Sequence, residues 1–366
     1  MENKICVYAI CKNEEQFVDK WYESMKEADY ICVLDTGSTD NTVEKLKEHG
    51  IKVEQKIINP WRFDVARNES MKLIPEDCNI LACIDLDEVF EAGWAEKIKQ
   101  AWTPDTTRIQ YEYIWSHTAS GADLRIFVTD KIHDRSWHWE YPVHETLCKE
   151  NESEGVYTYV EGVRLHHYPV HKESRKSYLN LLRLRVEEYP EDWYGKLYLG
   201  HELNYSGLYE ESIIQLTDIL MNYSEHYSQI EKSNCYLFIG DNYRLLGDKV
   251  KAMQSYLLSI DEEPTLREGY IEIAKIYLEQ KKYNLAIEYV KEGLKMGVRH
   301  YSWLERDASW SYVPWGILTE ASYYLGNKRD SIAYAYKALQ FDKENNWLQE
   351  NLKICLEQTS LEDLIK

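Results

Sequence analysis

Ile80-Leu81-Ala82-Cys83-Ile84 runs without a break into Asp85-Leu86-Asp87-Glu88. Five consecutive apolar residues with no polar alternation describe a strand buried on both faces, the pattern of a parallel α/β sheet. Two carboxylates then follow at the carboxyl end of that strand, where an open α/β sheet binds its ligand. In an extended chain residues two apart share a face, so Asp85 and Asp87 can grip one hard divalent cation through oxygen. Such a cation would in turn hold a diphosphate. A chain with 63 Asp and Glu contains acidic triplets by chance, most of them on solvated helix faces. It is the position after an apolar strand that sets this triplet apart.

Upstream, the same grammar repeats. Ile5 to Ile10 precedes a helical stretch near 14–27, and Tyr30 to Leu34 precedes one near 40–49. A strand near 51–57, a helix near 64–73, the strand at 80–84 and a helix near 91–101 continue the series. Alternating strands and amphipathic helices predict a parallel α/β sheet. Residues 108–167, richer in Trp, Tyr and His, read as further strands that complete the sheet and close over the site. The α/β domain is assigned to residues 1–171.

From 172 to 366 the pattern is helical throughout, and an internal repeat is visible. Turns headed by Gly207, Gly247, Lys281 and Gly326 each stand five residues before a small residue: Ser212, Ala252, Ala286 and Ser331. Twelve residues before these lie Gly200, Gly240, Ala274 and Thr319, a second small position at which paired helices must touch. The spacings are 40, 34 and 45 residues, and 34 is the tetratricopeptide period. This half therefore resembles tetratricopeptide repeats, imperfectly, with the usual proline surviving as Pro264. Such repeats commonly bind peptide or protein. A helical stack that props the first domain or builds a homodimer is the alternative.

Composition narrows the function. The formal net charge of −20 argues against a polyanion-binding surface, so neither nucleic acid nor an anionic membrane is expected as partner. The eight cysteines include no Cys-x-x-Cys pair, and several sit in apolar strands as small core residues do. With no signal-peptide pattern at the amino terminus and no run of roughly 20 apolar residues, a cytoplasmic protein without a membrane span is expected.

Three strand ends should converge on one crevice: Cys11-Lys12-Asn13-Glu14-Glu15, Asp35-Thr36-Gly37-Ser38-Thr39-Asp40-Asn41-Thr42 and Asp85-Leu86-Asp87-Glu88. Asp35 can accept hydrogen bonds from a base or a ribose, and Gly37 permits a tight turn. Ser38 to Asn41 offer helix caps, which for Thr39, Asp40 and Asn41 is reason enough for their presence. In Phe63-Asp64-Val65-Ala66-Arg67-Asn68, Asp64 can cap the following helix. Arg67 can then reach a base or phosphate, or pair with a strand-end carboxylate.

Taken in order, Ile10-Cys11-Lys12-Asn13-Glu14-Glu15, Val33-Leu34-Asp35-Thr36-Gly37-Ser38-Thr39-Asp40, Phe63-Asp64-Val65-Ala66-Arg67-Asn68 and Ile84-Asp85-Leu86-Asp87-Glu88 resemble family-2 glycosyltransferases of the GT-A fold. The subgroup they are most similar to is a bacterial one in which that Rossmann-like domain is followed by tetratricopeptide repeats. The resemblance implies metal-dependent, inverting transfer of a hexosyl or N-acetylhexosaminyl group from a UDP-sugar. It implies that Asp35 contacts the uridine, with Glu14 and Arg67 lining that pocket. Asp85 would sit against ribose and metal, and Asp87 would ligate Mn2+ or Mg2+ directly. Glu88-Val89 stands where a second aspartate is more usual, and Cys11 replaces a valine.

An inverting transfer needs a general base on the acceptor side. The cluster Tyr141-Pro142-Val143-His144-Glu145-Thr146 is the densest source of one. The resembled subgroup has a Val-His-Glu here, so Glu145 is the first choice; His144, nearer neutrality in its ordinary pKa, is the second. The structural alternative pairs Glu145 with Arg125 or Arg164. In Arg164-Leu165-His166-His167, alternation lets at most one histidine face the cation, and GT-A enzymes often use a histidine here; His167 is chosen. Trp115, Trp137 and Trp139 are either a sugar platform or core. The expected acceptor is a protein or peptide held by the repeats. A saccharide or lipid-linked acceptor keeps the chemistry, and a non-catalytic protein-binding adaptor abandons it.

Overall fold

In the computed structural model, the described residues are 2–118, 121–149, 155–169, 178–297 and 304–358. The chain divides into two compact units, Met1–Ser116 with Ile126–Glu188, and His117–Arg125 with Tyr189–Lys366. The 171/172 boundary expected from sequence lies outside the described residues, as does His171.

The first unit is built on an eight-stranded sheet of order β3-β2-β1-β4-β7-β6-β10-β5. Its strands are β1 (Ile5–Cys11), β2 (Tyr30–Asp35), β3 (Lys52–Gln55), β4 (Ile80–Cys83), β5 (Glu88–Phe90), β6 (Arg108–His117), β7 (Asp123–His133) and β10 (Tyr157–His167). The short strands β8 (His138–Glu140) and β9 (Thr146–Cys148) form a separate antiparallel pair. The first four strands of the sheet run parallel, as the strand-helix alternation predicts. The sheet as a whole is mixed, because β7 lies antiparallel to β4 and β5 antiparallel to β10. Only five residues join β6 to β7, fewer than a parallel crossover needs.

Alternation along β1 explains its unbroken apolar reading. Ile5, Val7 and Ala9 pack on one face with Trp21 and Met25 of α1 (Val18–Met25) and with Trp94 and Ile98 of α4 (Trp94–Ala101). Cys6 and Tyr8 pack on the other with Cys32, Leu34, Cys83, Trp137 and Trp139. All eight cysteines are free thiols, and all but Cys148 are buried. Trp137 and Trp139, at 1% and 5% exposure, belong to this core and are not a sugar platform.

The second unit consists of helix hairpins. These pair α6 (Trp193–Tyr205) with α7 (Tyr209–Asn222), α8 (Gln229–Leu245) with α9 (Lys249–Glu262), α10 (Glu268–Glu279) with α11 (Tyr283–Lys295), and α13 (Val313–Tyr324) with α14 (Lys328–Leu339). A short helix α12 (Asp307–Trp310) precedes α13, and α15 (Asn346–Glu357) packs on α14. The repeat read from sequence is the hairpin itself. Gly207, Gly247, Lys281 and Gly326 all take positive φ at the turns, +77, +86, +58 and +78°. The small residues Ser212, Ala252, Ala286 and Ser331 are fully buried. Ser212 and Ser331 donate their hydroxyls to the carbonyls of Gly200 and Thr319, at 2.7 and 2.9 Å. A Cβ on Gly240 would stand 2.4 Å from the Tyr256 ring, so the small residue is required by helix approach. No helix among the described residues is long and apolar enough to cross a membrane.

Candidate functional site

The carboxyl ends of β1, β2 and β4 are adjacent by register: Cys11 stands opposite Asp35 and Tyr8 opposite Cys83. Two loops leave this edge and are hydrogen-bonded to each other. Asn13 Oδ1 accepts from the Thr39 amide at 2.7 Å, and the Glu14 amide donates to Thr42 Oγ1 at 2.8 Å. Glu15 Oε2 accepts from the Asn41 amide at 3.0 Å, satisfying the exposed start of α2 (Thr42–Glu48) that Asn41's own side chain does not cap. Asn13 adopts a positive φ of +56° in this arrangement.

Asp35 is fully buried. Its Oδ1 accepts from the amides of Gly37 and Ser38, at 3.2 and 3.1 Å, and from Gln55 Nε2 at 3.2 Å. The strand-end carboxylate thus ties down its own turn, and Gly37, at φ +114°, lets the backbone fold around it. Burial beside this carboxylate pushes the Cys11 thiol well above its ordinary range.

Arg67 occupies the centre of the next group. It lies in α3 (Phe63–Met71), whose first turn is steadied by Asp64 accepting from the Val65 amide at 2.8 Å. The Arg67 guanidinium, 7% exposed, donates Nη1 and Nη2 to the two oxygens of Asp85 at 2.8 and 3.0 Å. Its Nε donates to Glu145 Oε1. Burial opposes the charge of Asp85, but Arg67 and Lys131 outweigh it and hold the carboxyl well below the usual range. Lys131 Nζ lies 3.5 Å from Asp85 Oδ2 and 2.7 Å from Glu88 Oε1.

Glu88, which stands where the resembled family more usually has a second aspartate, is 1% exposed and inward-facing. Its Oε2 accepts from the Asp85 amide at 2.9 Å, and its Oε1 accepts from Tyr113 OH at 2.6 Å. The Asp85 to Glu88 stretch is therefore a turn, closed by the Glu88 amide donating to the Asp85 carbonyl at 3.0 Å. Strand alternation does not govern Asp85 and Asp87, and their carboxylates diverge. Asp85 meets Arg67, whereas Asp87 Oδ2 lies 3.4 Å from His167 Nε2.

That second pair has the chemistry of a cation site. Neighbouring ligands of a small octahedral ion lie about 3 Å apart. His167 Nδ1 faces the Trp115 carbonyl at 3.3 Å, which leaves Nε2 for Asp87 or for a shared cation. Burial works against a proton on His167, yet the Asp87 carboxylate raises its pKa above the ordinary value. The exposed Trp115 ring lies 4.5 Å from the imidazole, centroid to centroid. His166 takes other partners, Glu91 at 3.0 Å and the Tyr168 ring.

The loop bearing His144 and Glu145 is held by α5 (Tyr178–Glu188). Arg185, 1% exposed, donates to the carbonyls of Val143 and His144 at 2.8 and 2.7 Å and lies 3.9 Å over the Tyr141 ring. His144 is exposed with φ +48°. The alternative partners of Glu145 are engaged elsewhere, Arg125 with Asp307 at 2.9 Å and Arg164 with Glu112 at 2.9 Å. Lys131, Tyr113 and Arg185 escaped the sequence reading. Only Arg185 carried a signal, as a cation on the buried stripe of Leu181 and Leu182.

Residues 6–120 match the family model described as glycosyl transferase family 2. No curated protein matches the chain. Among solved structures, the APC/C hetero-tetramer Cut9-Hcn1 is similar at 13% identity and TM-score 0.41, over 50% of this chain and 33% of that one. This chain thus spans about a third of the length of that relative. A thermophilic TPR protein of Thermus thermophilus is similar at 15% identity and TM-score 0.36, over 50% and 91%. A tetratricopeptide repeat protein from Parabacteroides merdae is similar at 16% identity and TM-score 0.38, over 50% and 66%. The repeat assignment rests on the hairpins and their small residues, not on these likenesses. Residues 6–120 are therefore a glycosyl transferase family 2 domain within a GT-A-like mixed sheet, and tetratricopeptide-like helix hairpins follow it.

Proposed function

We propose that this chain is a metal-dependent, inverting glycosyltransferase that moves a hexosyl or N-acetylhexosaminyl group from a UDP-sugar to a protein or peptide. The observation that carries the reading is the 3.4 Å approach of Asp87 Oδ2 to His167 Nε2 at the ligand-binding edge of the sheet. Asp87 and His167 would hold Mn2+ or Mg2+, which when bound supplies the positive charge a diphosphate requires in a chain of net charge −20. Asp85 contributes from behind: locked to Arg67 and Lys131, it keeps the turn in place and faces the ribose side.

Glu145 is the proposed base, taking the proton of the acceptor nucleophile, with His144 as the second candidate beside it. Arg67 holds one Glu145 oxygen and so sets the direction of the other. Asp35 and Glu14 are assigned to the uridine side. Asp35 is enclosed by its own turn, so a base contact there requires the Gly37-Ser38 amides to yield. The helix hairpins are the ground for expecting a protein or peptide acceptor.

Titration calorimetry of UDP against the full chain, with and without Mn2+, tests this reading. Binding that needs the metal and drops at least tenfold in Asp87→Asn is expected. Metal-independent binding, or binding unchanged in Asp87→Asn, would overturn the assignment.

A further inference from the structure

The first helices of two neighbouring hairpins present a matched polar face. Asn234, Phe238 and Asp241 follow one another at helical spacing on α8, and Glu268 and Glu272 do so on α10. Residues 304–310 of the same unit lie across this face. Arg306 Nη1 reaches Asp241 Oδ2 at 2.8 Å and lies 3.9 Å from Glu272 Oε1, with its guanidinium 5.0 Å over the Phe238 ring. Glu268 Oε1 accepts from the Arg306 amide at 3.2 Å and from Trp310 Nε1 at 3.1 Å. Asn234 Nδ2 donates to the Leu304 carbonyl at 3.3 Å. An arginine set between carboxylates and an aromatic ring, beside backbone held by side chains, is the chemistry by which a receptor reads an extended peptide.

The receptor side is prepared for it. Tyr256 OH donates to Asp241 Oδ1 at 2.7 Å, and Tyr256 can sit there because residue 240 is glycine. The fit of the segment itself is incomplete. Among the described residues, Asn234 Oδ1 and Glu268 Oε2 on the helices, and Arg306 Nη2 and Ser309 Oγ on the segment, are buried and find no hydrogen-bond partner. Glu268 is 2% exposed. A small cavity remains along the seam, lined by Ile230, Asn234, Leu237, Leu266, Glu268 and Leu304. Buried polar atoms in a permanent core are nearly all satisfied, and each that is not costs about 1–3 kcal/mol. Four of them on one seam mark an occupant that holds the site without completing it.

We propose that this face of α8 and α10 is a docking site for an extended arginine-bearing peptide of another protein, and that Leu304 to Trp310 occupies it as a displaceable internal stand-in. The three carboxylates of Asp241, Glu268 and Glu272 select a cationic residue, and Phe238 selects a planar one, so arginine is favoured over lysine. The inference is independent of sugar transfer.

The test uses the full chain without sugar nucleotide and, as probe, a labelled acetylated and amidated peptide of sequence 304–311. Arg306→Ala should bind the probe at least tenfold more tightly than wild type does. Adding Asp241→Asn, or replacing the probe's arginine with alanine, should remove that gain. In the wild-type chain, excess probe should raise amide hydrogen exchange over residues 306–310, a readout that stands even if Arg306→Ala fails to fold. Probe binding indifferent to Arg306 and Asp241, or exchange over 306–310 unaltered by excess probe, would overturn the proposal. Neither result bears on UDP binding, so this inference and the transfer reading fail separately.

Discussion

Arg67 grips both oxygens of Asp85, at 2.8 and 3.0 Å, while its Nε donates to Glu145. One buried cation thereby joins the acid that follows β4 to the acid of the 142–146 loop, 60 positions later in the chain. The arrangement makes Arg67 the residue on which both sides of the proposed reaction depend.

Replacing Arg67 with methionine keeps much of its bulk and leaves Asp85 and Glu145 without their shared donor. Loss of one partner from a buried pair costs about 3–5 kcal/mol, moderated here because Lys131 still faces Asp85. Urea unfolding of the variant should show a loss of about 3 kcal/mol. Less than about 1 kcal/mol would mean that Lys131 alone suffices.

Glu145→Gln preserves shape and removes the ability to take a proton. Transfer should fall by roughly 100-fold or more, while UDP affinity stays within about twofold. A parallel loss of nucleotide binding would make Glu145 a strut for Arg67, because the amide is a poorer partner for the guanidinium.

His133 gives the fold a pH dependence of known sign. Its Nε2 meets Tyr8 OH at 2.7 Å in the core, and burial lowers its pKa from 6.5 to about 3. The unfolded chain takes up a proton that the folded chain refuses between those values, so this contribution is complete above about pH 6.5 and declines as pH falls toward 3. Between pH 7 and 4.5 the loss is about 2–3 kcal/mol, at 1.36 kcal/mol per pH unit. His133→Asn should be less sensitive to acid by that amount in parallel denaturation curves. An imidazole that titrates near pH 6 by NMR would refute the assignment.

Gly240→Ala tests the helix approach in the second unit. The added methyl meets the Tyr256 ring at 2.4 Å, and Tyr256 is fully buried. Overpacking of this kind costs about 1–3 kcal/mol, against the few tenths to about 1 kcal/mol that alanine otherwise gains in a helix. Thermal unfolding should shift downward, and a variant of equal or greater stability would show that Tyr256 can move aside.

Much of this architecture lies in short-range pattern. The run from Ile80 to Ile84 and the alternation along β1 mark strands covered on both faces, since period and apolar content are properties of a few consecutive residues. Turn glycines five residues before Ser212, Ala252 and Ser331 mark hairpins for the same reason. Even Lys281, without glycine's freedom, was legible as a turn from its place in the repeat, and it adopts φ +58°.

Partner choice is a different kind of fact. Glu145 could pair with Arg125 or Arg164 as far as charge is concerned, yet packing of α3 against β8 brings Arg67 to it. Asp85 and Asp87 read as one cation-gripping pair in an extended strand; the Glu88 side chain accepts the Asp85 amide, closes a turn and sends the two carboxylates to different partners. Lys131 carries no motif, and Arg185 only its place on the stripe of Leu181 and Leu182, because each meets its partners across about 40 residues of chain or more. Periodicity and turn chemistry are written locally, so residue order alone determined the strands and the hairpins. Which acids share Arg67, and which one turns toward His167, was decided only when distant elements packed and burial made each ionic pairing exclusive.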